Sequence, residues 1–241
     1  MNTESTVVKS LAPHGKLRVA LNFGNPVLAQ RHPGTGEPMG VSVDLARELA
    51  GRLGLEAEFV AFDAAGKVFA VVEADIWDIA FMAVDPVRAE KVQFTKPYVI
   101  IEGTYMVSAD SPLEQVSNVD RAGVRVAVGK GAAYDLFLTR SLQQAELVRA
   151  ATSAAAIELF IEQSLDAVAG VRQPLVTYAA EHSGLRVMDG RFTAIDQAMA
   201  TPKGRTCGGQ YLGLFVEEMK ASGFIAAALE RSGQVDASVA P

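Results

Sequence analysis

From Asp78 to Val84 the chain reads Asp-Ile-Ala-Phe-Met-Ala-Val, apolar at every position after the aspartate. Such a run reads as a strand covered on both faces, which is the habit of parallel sheets flanked by helices. Asp85 and Pro86 then turn the chain, and Arg88 follows just beyond the strand's carboxyl end. Open α/β sheets hold their ligands at that end of their strands. A guanidinium there offers a rigid fork of donors matched to a carboxylate or phosphate.

The rest of the chain alternates strand and helix patterns around this segment. Lys16 to Asn22 alternates and then turns apolar, as a strand entering a sheet does, and a Gly-, Pro- and Asn-rich loop runs on to Gly40. Apolar residues Val43, Leu45, Ala46, Leu49, Ala50 and Leu53 recur at helical spacing, with Ser42 as the expected N-cap and Gly54 as the stop. Ala57–Phe62 is a second strand, Lys67–Ala74 a short helix, and Tyr98–Ser108 a long strand leaving this half. The pattern then restarts, with strands at 124–128, 146–150 and 167–171. Helices are expected at 134–142, 153–164 and 173–181, the last opened by Pro174. After Phe192 a last strand, closed by a turn at Pro202-Lys203-Gly204, and two helices, Gln210–Ser222 and Phe224–Arg231, finish the chain. Alternating elements in both halves imply two α/β units with mainly parallel sheets.

Composition narrows the function classes. A formal net charge of −6 without a basic run argues against nucleic acid as the partner. The single Cys207 permits no intrachain disulfide, and His14, His32 and His182 are scattered, so neither a metal nor a cofactor is expected. No segment has the continuous apolar length of a membrane span, and the polar start Met-Asn-Thr-Glu-Ser-Thr is not a signal peptide. Met1 to Lys9 reads as a native extension, which favours a chain made without a leader. Trp77 at the amino end of its strand, and Met82, Met106, Met188 and Met199 in or beside strands, are expected in the core.

The Asp78-Ile79-Ala80 strand, Arg88, and the later Phe94-Thr95-Lys96-Pro97-Tyr98 resemble the family 3 solute-binding proteins of ABC importers. In that family a strand of this kind is followed by an arginine and then by Phe-(Ser/Thr)-x-Pro-Tyr. The resemblance runs from Lys16 to about Gly233. It implies a two-lobed fold of the type II periplasmic-binding-protein class, an α/β architecture with two crossings between lobes. Residues 1–15 would be an extension, 16–108 with 199–241 the first lobe, and 109–198 the second. A solute would be held between the lobes, which close on it by a hinge motion.

The resemblance also places the binding residues, with Arg88 as the group that holds the ligand's carboxylate. Asn22 and Asn25 stand where the family often carries an acid and an aromatic; amides both donate and accept, and Asn is also ordinary turn chemistry. Ala83 and Asp85 offer backbone groups where the family usually shows Gly and Thr, and Asp85 alternatively caps the turn that carries Arg88. Ala132 and Ala133, after Gly129-Lys130-Gly131, replace the family's hydroxyl residues and leave backbone N–H groups at a helix start to meet an anion. Tyr134 either touches the ligand or packs on its helix. Arg172 stands about where amino-acid-binding members place an aspartate for the ligand's ammonium, so it either meets a second acidic group or points to solvent. Gln197, at the second crossing, completes the candidate set.

An ammonium beside two arginines with no acid nearby is unfavourable, which points to an anionic carboxylate, with a zwitterionic amino acid as the competitor. The leading reading is therefore a non-enzymatic, monomeric binding component that partners an ABC permease. It would be periplasmic by resemblance, against a cytoplasmic alternative from the visible N-terminus. The runners-up are a dehydratase of cyclic carboxylates (cyclohexadienyl or arogenate dehydratase-like), with Asp85, Lys130 and Glu102 as its candidate acid–base groups, and a non-exported sensing domain.

Overall fold

The computed structural model describes residues 3–234 and 236–241. The first part of the chain contains α1 (Thr3–Leu11), β1 (Leu17–Asn22), β2 (Gln30–Arg31), β3 (Pro38–Met39), α2 (Val41–Arg52), β4 (Ala57–Phe62), α3 (Ala65–Ala70), β5 (Ile79–Ala83), α4 (Pro86–Ala89) and β6 (Val92–Ser108). Then come β7 (Arg125–Gly129), α5 (Ala133–Ser141), β8 (Glu146–Ala150), α6 (Ser153–Glu162), β9 (Ala167–Val171), α7 (Arg172–Glu181) and β10 (Leu185–Val187). The last elements are β11 (Thr193–Pro202), α8 (Thr206–Ala221), α9 (Phe224–Arg231) and β12 (Ser238–Val239). The chain divides into two compact units. Unit 1 runs through residue 63 and includes 67–100 and 196–241; unit 2 holds 64–66 and 101–195.

In unit 1, β1 pairs in parallel with β4 along its whole length, from Leu17 opposite Ala57 to Asn22 opposite Phe62. On its other side β1 pairs in parallel with β5, Val19 opposite Ile79, and β5 pairs antiparallel with β11, Gln197 opposite Ala83. Every residue of β5 is buried, which explains why its sequence shows no polar alternation. Ala20, Ala80, Met82 and Ala200 share one core with Val68, Val72 and Trp77, whose indole N–H donates to the Val68 carbonyl at 3.2 Å. Strand side chains alternate between faces, so Val19, Leu21, Ile79 and Phe81 fill the other face, where α2 packs on β1.

An aspartate closes the amino end of this sheet. The Asp78 carboxylate is wholly buried and accepts from Arg18 Nε and Nη2 at 2.9 Å, from the Arg18 backbone N–H at 3.0 Å, and from Arg205 Nη1 at 2.7 Å. Burial pushes its pKa up, but the bonds from Arg18 and Arg205 outweigh that and hold it below the ordinary aspartate value. Arg205 immediately precedes α8, so this clasp ties the first turn of a C-terminal helix to β1 and β5.

In unit 2, β7 pairs in parallel with β8 and β9, while β9 and β10 pair antiparallel with β6. Alternate residues feed two cores. Tyr105, Val107, Val126, Val128 and Ala169 pack with Tyr134 and Leu138 of α5; Met106, Ala127 and Val168 pack with Ile157 and Phe160 of α6 and Leu175 of α7. Helices on both faces thus make β9, and β7 after Arg125, apolar as in β5.

Three expectations need correction. Ser42 is not the N-cap of α2; Gly40 is, at φ +113°, where an added Cβ would lie 2.6 Å from the Leu28 carbonyl oxygen. Only glycine takes that backbone conformation without strain, so it sets the boundary, and the Ser42 hydroxyl instead lies 3.1 Å from the Tyr98 hydroxyl. The extension read over 1–15 contains α1, packed on α8. Val7 and Leu11 are buried, Ser10 Oγ accepts from the Gly208 N–H at 3.0 Å, and Leu11 fills the space a Cβ at Gly208 would need. Finally, the division between units falls inside β6 at Ile100–Ile101 and inside β11 at Ile195–Asp196, rather than at 108/109 and 198/199, because each strand exchanges one set of neighbours for another partway along its length.

Candidate functional site

The carboxyl end of β5 delivers its chain into α4, a single turn capped by Asp85, whose Oδ1 accepts the Val87 N–H at 2.9 Å. Pro86 occupies the first helical position, where its missing N–H costs nothing. This short capped turn aims Arg88 back at its own strand. Arg88 is 1% exposed, and its Nη1 donates to the Ala83 carbonyl at 3.1 Å. Burial draws its pKa down to about 10, and the nearby Asp85 charge partly opposes that. The sequence therefore foresaw both the capping role of Asp85 and the position of Arg88, but not its burial.

Other unit 1 candidates lie on neighbouring strand ends. Asn22 ends β1, beside β5, and its Oδ1 accepts the Gly24 N–H at 3.0 Å, a local turn. The Asn25 carbonyl oxygen accepts from Leu28 at 3.1 Å, while its side-chain Oδ1 is buried with no hydrogen-bond partner among the described residues. Gln197 is buried and lies opposite Ala83 in the β5–β11 ladder. Asn22, Ala83, Asp85, Arg88 and Gln197 thus gather along one edge of three adjacent strands. The Phe94–Tyr98 stretch serves this unit structurally, since Thr95 Oγ1 accepts the Met199 N–H at 3.2 Å and Tyr98 meets Ser42 as described.

In unit 2 the turn before α5 is more self-contained than its sequence implied. The Ala132 N–H donates to the Gly129 carbonyl at 3.1 Å, and the Gly131 N–H donates to Asp135 Oδ2 at 2.8 Å. The carboxylate that this helix start attracts is Asp135, which also accepts from Arg149 Nε at 3.0 Å. Ala133 is the first residue of α5. Tyr134 is buried, and its hydroxyl donates to Ser153 Oγ at 2.8 Å, so it packs on its own unit.

Arg172 requires a correction to the charge argument. Its Nε donates to Glu102 Oε2 at 2.8 Å, its Nη1 to the Met188 carbonyl at 3.3 Å, and its Nη2 to the Gly190 carbonyl. Glu102 also accepts from Arg191 at 2.8 Å. The bond from Arg172, reinforced by Arg191, holds the Glu102 carboxyl below its usual range. Arg172 therefore does have an acid, 70 residues away along the chain, and Glu102 is a standing carboxylate rather than a proton donor near neutral pH.

Sequence reading missed a cavity of about 450 Å³ in unit 1, lined by Phe23, Arg31, Ala61, Phe62, Asp63 and Lys67. It sits past the carboxyl ends of β1 and β4. The β2–β3 hairpin, read as plain loop, carries Arg31 so that its guanidinium lies 4.3 Å from the Phe23 ring centroid.

A family model described as bacterial extracellular solute-binding proteins, family 3, matches residues 17–234. This chain belongs to that family. The model's span takes in every site residue named above and the two crossing strands. Solved structures agree in fold. An amino acid ABC transporter substrate-binding protein from Streptococcus pneumoniae bound to L-arginine is 19% identical, with a TM-score of 0.79 over 97% of this chain and 99% of that chain. A solute receptor for L-cysteine of Neisseria gonorrhoeae is 22% identical, with a TM-score of 0.81 over 94% of this chain and 92% of that one. An ancestral amino acid-binding protein, a precursor of cyclohexadienyl dehydratase, is 23% identical, with a TM-score of 0.76 over 93% and 97%. Among the described residues no helix is long and apolar enough to cross a membrane, and no group of His, Cys, Asp and Glu is placed to hold a metal ion.

Proposed function

We propose that this member of the family binds a small solute bearing a carboxylate, an amino acid or a related organic acid, and that Arg88 receives the carboxylate. It acts as the solute-binding component of an ABC importer, outside the cytoplasm. The observation that carries this reading is a buried guanidinium at the carboxyl end of an all-apolar parallel strand, aimed by a capped turn. Taking such a cation out of water is costly, and an anionic guest at that strand end lowers the cost. The likeness to a protein described with bound L-arginine and to a solute receptor for L-cysteine supports amino acids as members of the class. The buried Asn25 Oδ1 supports them too, because it is an acceptor that an ammonium or hydroxyl would satisfy. Binding without catalysis fits the state of Glu102, which is doubly ion-paired and displaced toward its charged form.

Calorimetric titration of amino, keto, hydroxy and dicarboxylic acids against the ligand-stripped protein tests the reading. For the tightest ligand, Arg88→Met is expected to weaken binding about 100-fold, the worth of one to two charge-assisted hydrogen bonds. Arg88→Lys should weaken it less, and Arg172→Ala should leave it within about threefold because Glu102 already holds that charge. Undiminished binding by a well-folded Arg88→Met variant would refute the assignment.

A further inference from the structure

The cavity in unit 1 combines aromatic walls with charged groups. Its walls are the Phe23 and Phe62 side chains, and its charges are Arg31, Asp63 and Lys67. Asp63 is engaged by Lys67, whose Nζ donates to Asp63 Oδ2 at 2.7 Å, so its charge is matched. That bond, with the Lys67 charge, holds the Asp63 carboxyl below its ordinary value. Arg31 stacks over Phe23 and gives Nη1 to the Gly36 carbonyl at 3.2 Å, with no carboxylate against it among the ion pairs of the described residues. A guanidinium has five N–H donors, so most of its donor edge is uncommitted. The cavity therefore carries two cations and one anion in a protein whose net charge is −6.

Its place on the sheet relates it to Arg88. Strand order in unit 1 is β4, β1, β5. Phe23 follows the end of β1, while Arg88 lies beyond the end of β5. Neighbouring strands are about 5 Å apart, so Phe23 and Arg88 follow strands that are adjacent in one sheet. The hairpin β2–β3 fixes the approach of Arg31, since Gln30 pairs with Met39 and Arg31 with Pro38. The aromatic walls suit the methylene chain between the two ends, and the guanidinium suits an acid at its tip.

We propose that Arg31, stacked on Phe23, is a specificity residue that selects solutes with a negatively charged distal group, making the preferred ligand a short dicarboxylate or an acidic amino acid. This rests on the assignment of the first carboxylate to Arg88. The test uses two pairs that differ only in distal charge, glutamate against glutamine and glutarate against its monoamide, titrated into ligand-stripped protein. The acid of at least one pair should bind about tenfold tighter than its amide, and Arg31→Met should bring that ratio to within about twofold while amide affinity is kept. Because Arg31 is exposed, the variant should fold; its urea midpoint checks this, and Phe23→Leu, which removes the ring that orients the guanidinium, should give a smaller loss of the same preference. Equal binding of acids and amides by the wild type, an undiminished preference in a folded Arg31→Met protein, or no binding of any of the four overturns the proposal. The two assignments fail separately: carboxylates that bind in an Arg88-dependent way without distal preference overturn only the role of Arg31, whereas binding indifferent to Arg88→Met overturns the first.

Discussion

Replacing Asp78 by Asn removes one charge from the clasp at the amino end of the unit 1 sheet while keeping side-chain volume. In the native protein this carboxylate takes four hydrogen bonds, three from Arg18 and one from Arg205. Breaking a buried ion pair by removing one partner costs about 3–5 kcal/mol. Both arginines keep some exposure and retain Asp75 nearby, which reduces the expected loss to about 2–3 kcal/mol. For a chain of this size that corresponds to a Tm lower by about 5–10 °C. Urea unfolding followed by the emission of Trp77, the chain's single tryptophan, reads the change inside the same unit. The pH dependence has a definite sign. The folded-state pKa of Asp78 lies below the ordinary aspartate value, so its contribution is complete above that value and fades as pH falls toward the folded pKa. The gap between wild type and D78N should therefore be constant from neutral pH down to about pH 5 and then close on further acidification. A D78N protein within about 0.5 kcal/mol of wild type at pH 7, or a gap that widens in acid, would refute the reasoning.

Two further outcomes can be checked by the same unfolding measurement, read by circular dichroism for unit 2. Gly40→Ala should cost about 2 kcal/mol or more, since the new Cβ meets both a positive φ and the Leu28 carbonyl; a loss below about 0.5 kcal/mol would show that the turn relaxes freely. Tyr134→Phe should cost about 1 kcal/mol by leaving Ser153 without its buried donor, with solute affinity unchanged; a drop in affinity without a drop in stability would move Tyr134 into the binding site.

How much was legible in the sequence depended on the range of the interaction that fixes each feature. β5, β7 and β9 were readable because helices cover both faces, so an apolar run of the right length leaves little choice. The Asp85 cap and the position of Arg88 were readable because cap, proline and arginine lie within four consecutive residues. Arg172 was misread because the acid that takes its charge is on β6, brought opposite β9 only by the antiparallel ladder from Gly103 to Met106. The helix start at Ala132–Ala133 lacks hydroxyls that would mark it in the sequence, and its anion comes from Asp135, three residues after Ala132. The β2–β3 hairpin was invisible for a different reason: two-residue strands carry no periodicity to detect, and so Arg31 went unnoticed. The Gly40 cap is hidden beside the more obvious Ser42 because a cap set by backbone conformation leaves no side-chain signature other than glycine itself.

The strand from Val92 to Ser108 is 17 residues long and takes partners in both units, β12 near its middle and then β9 and β10. Side chains on a strand switch faces at every step. Deleting one residue near the midpoint would thus turn a whole set of inward-facing groups outward on one side of the cut. This segment is a measured rod whose residue count two separate interiors both depend on.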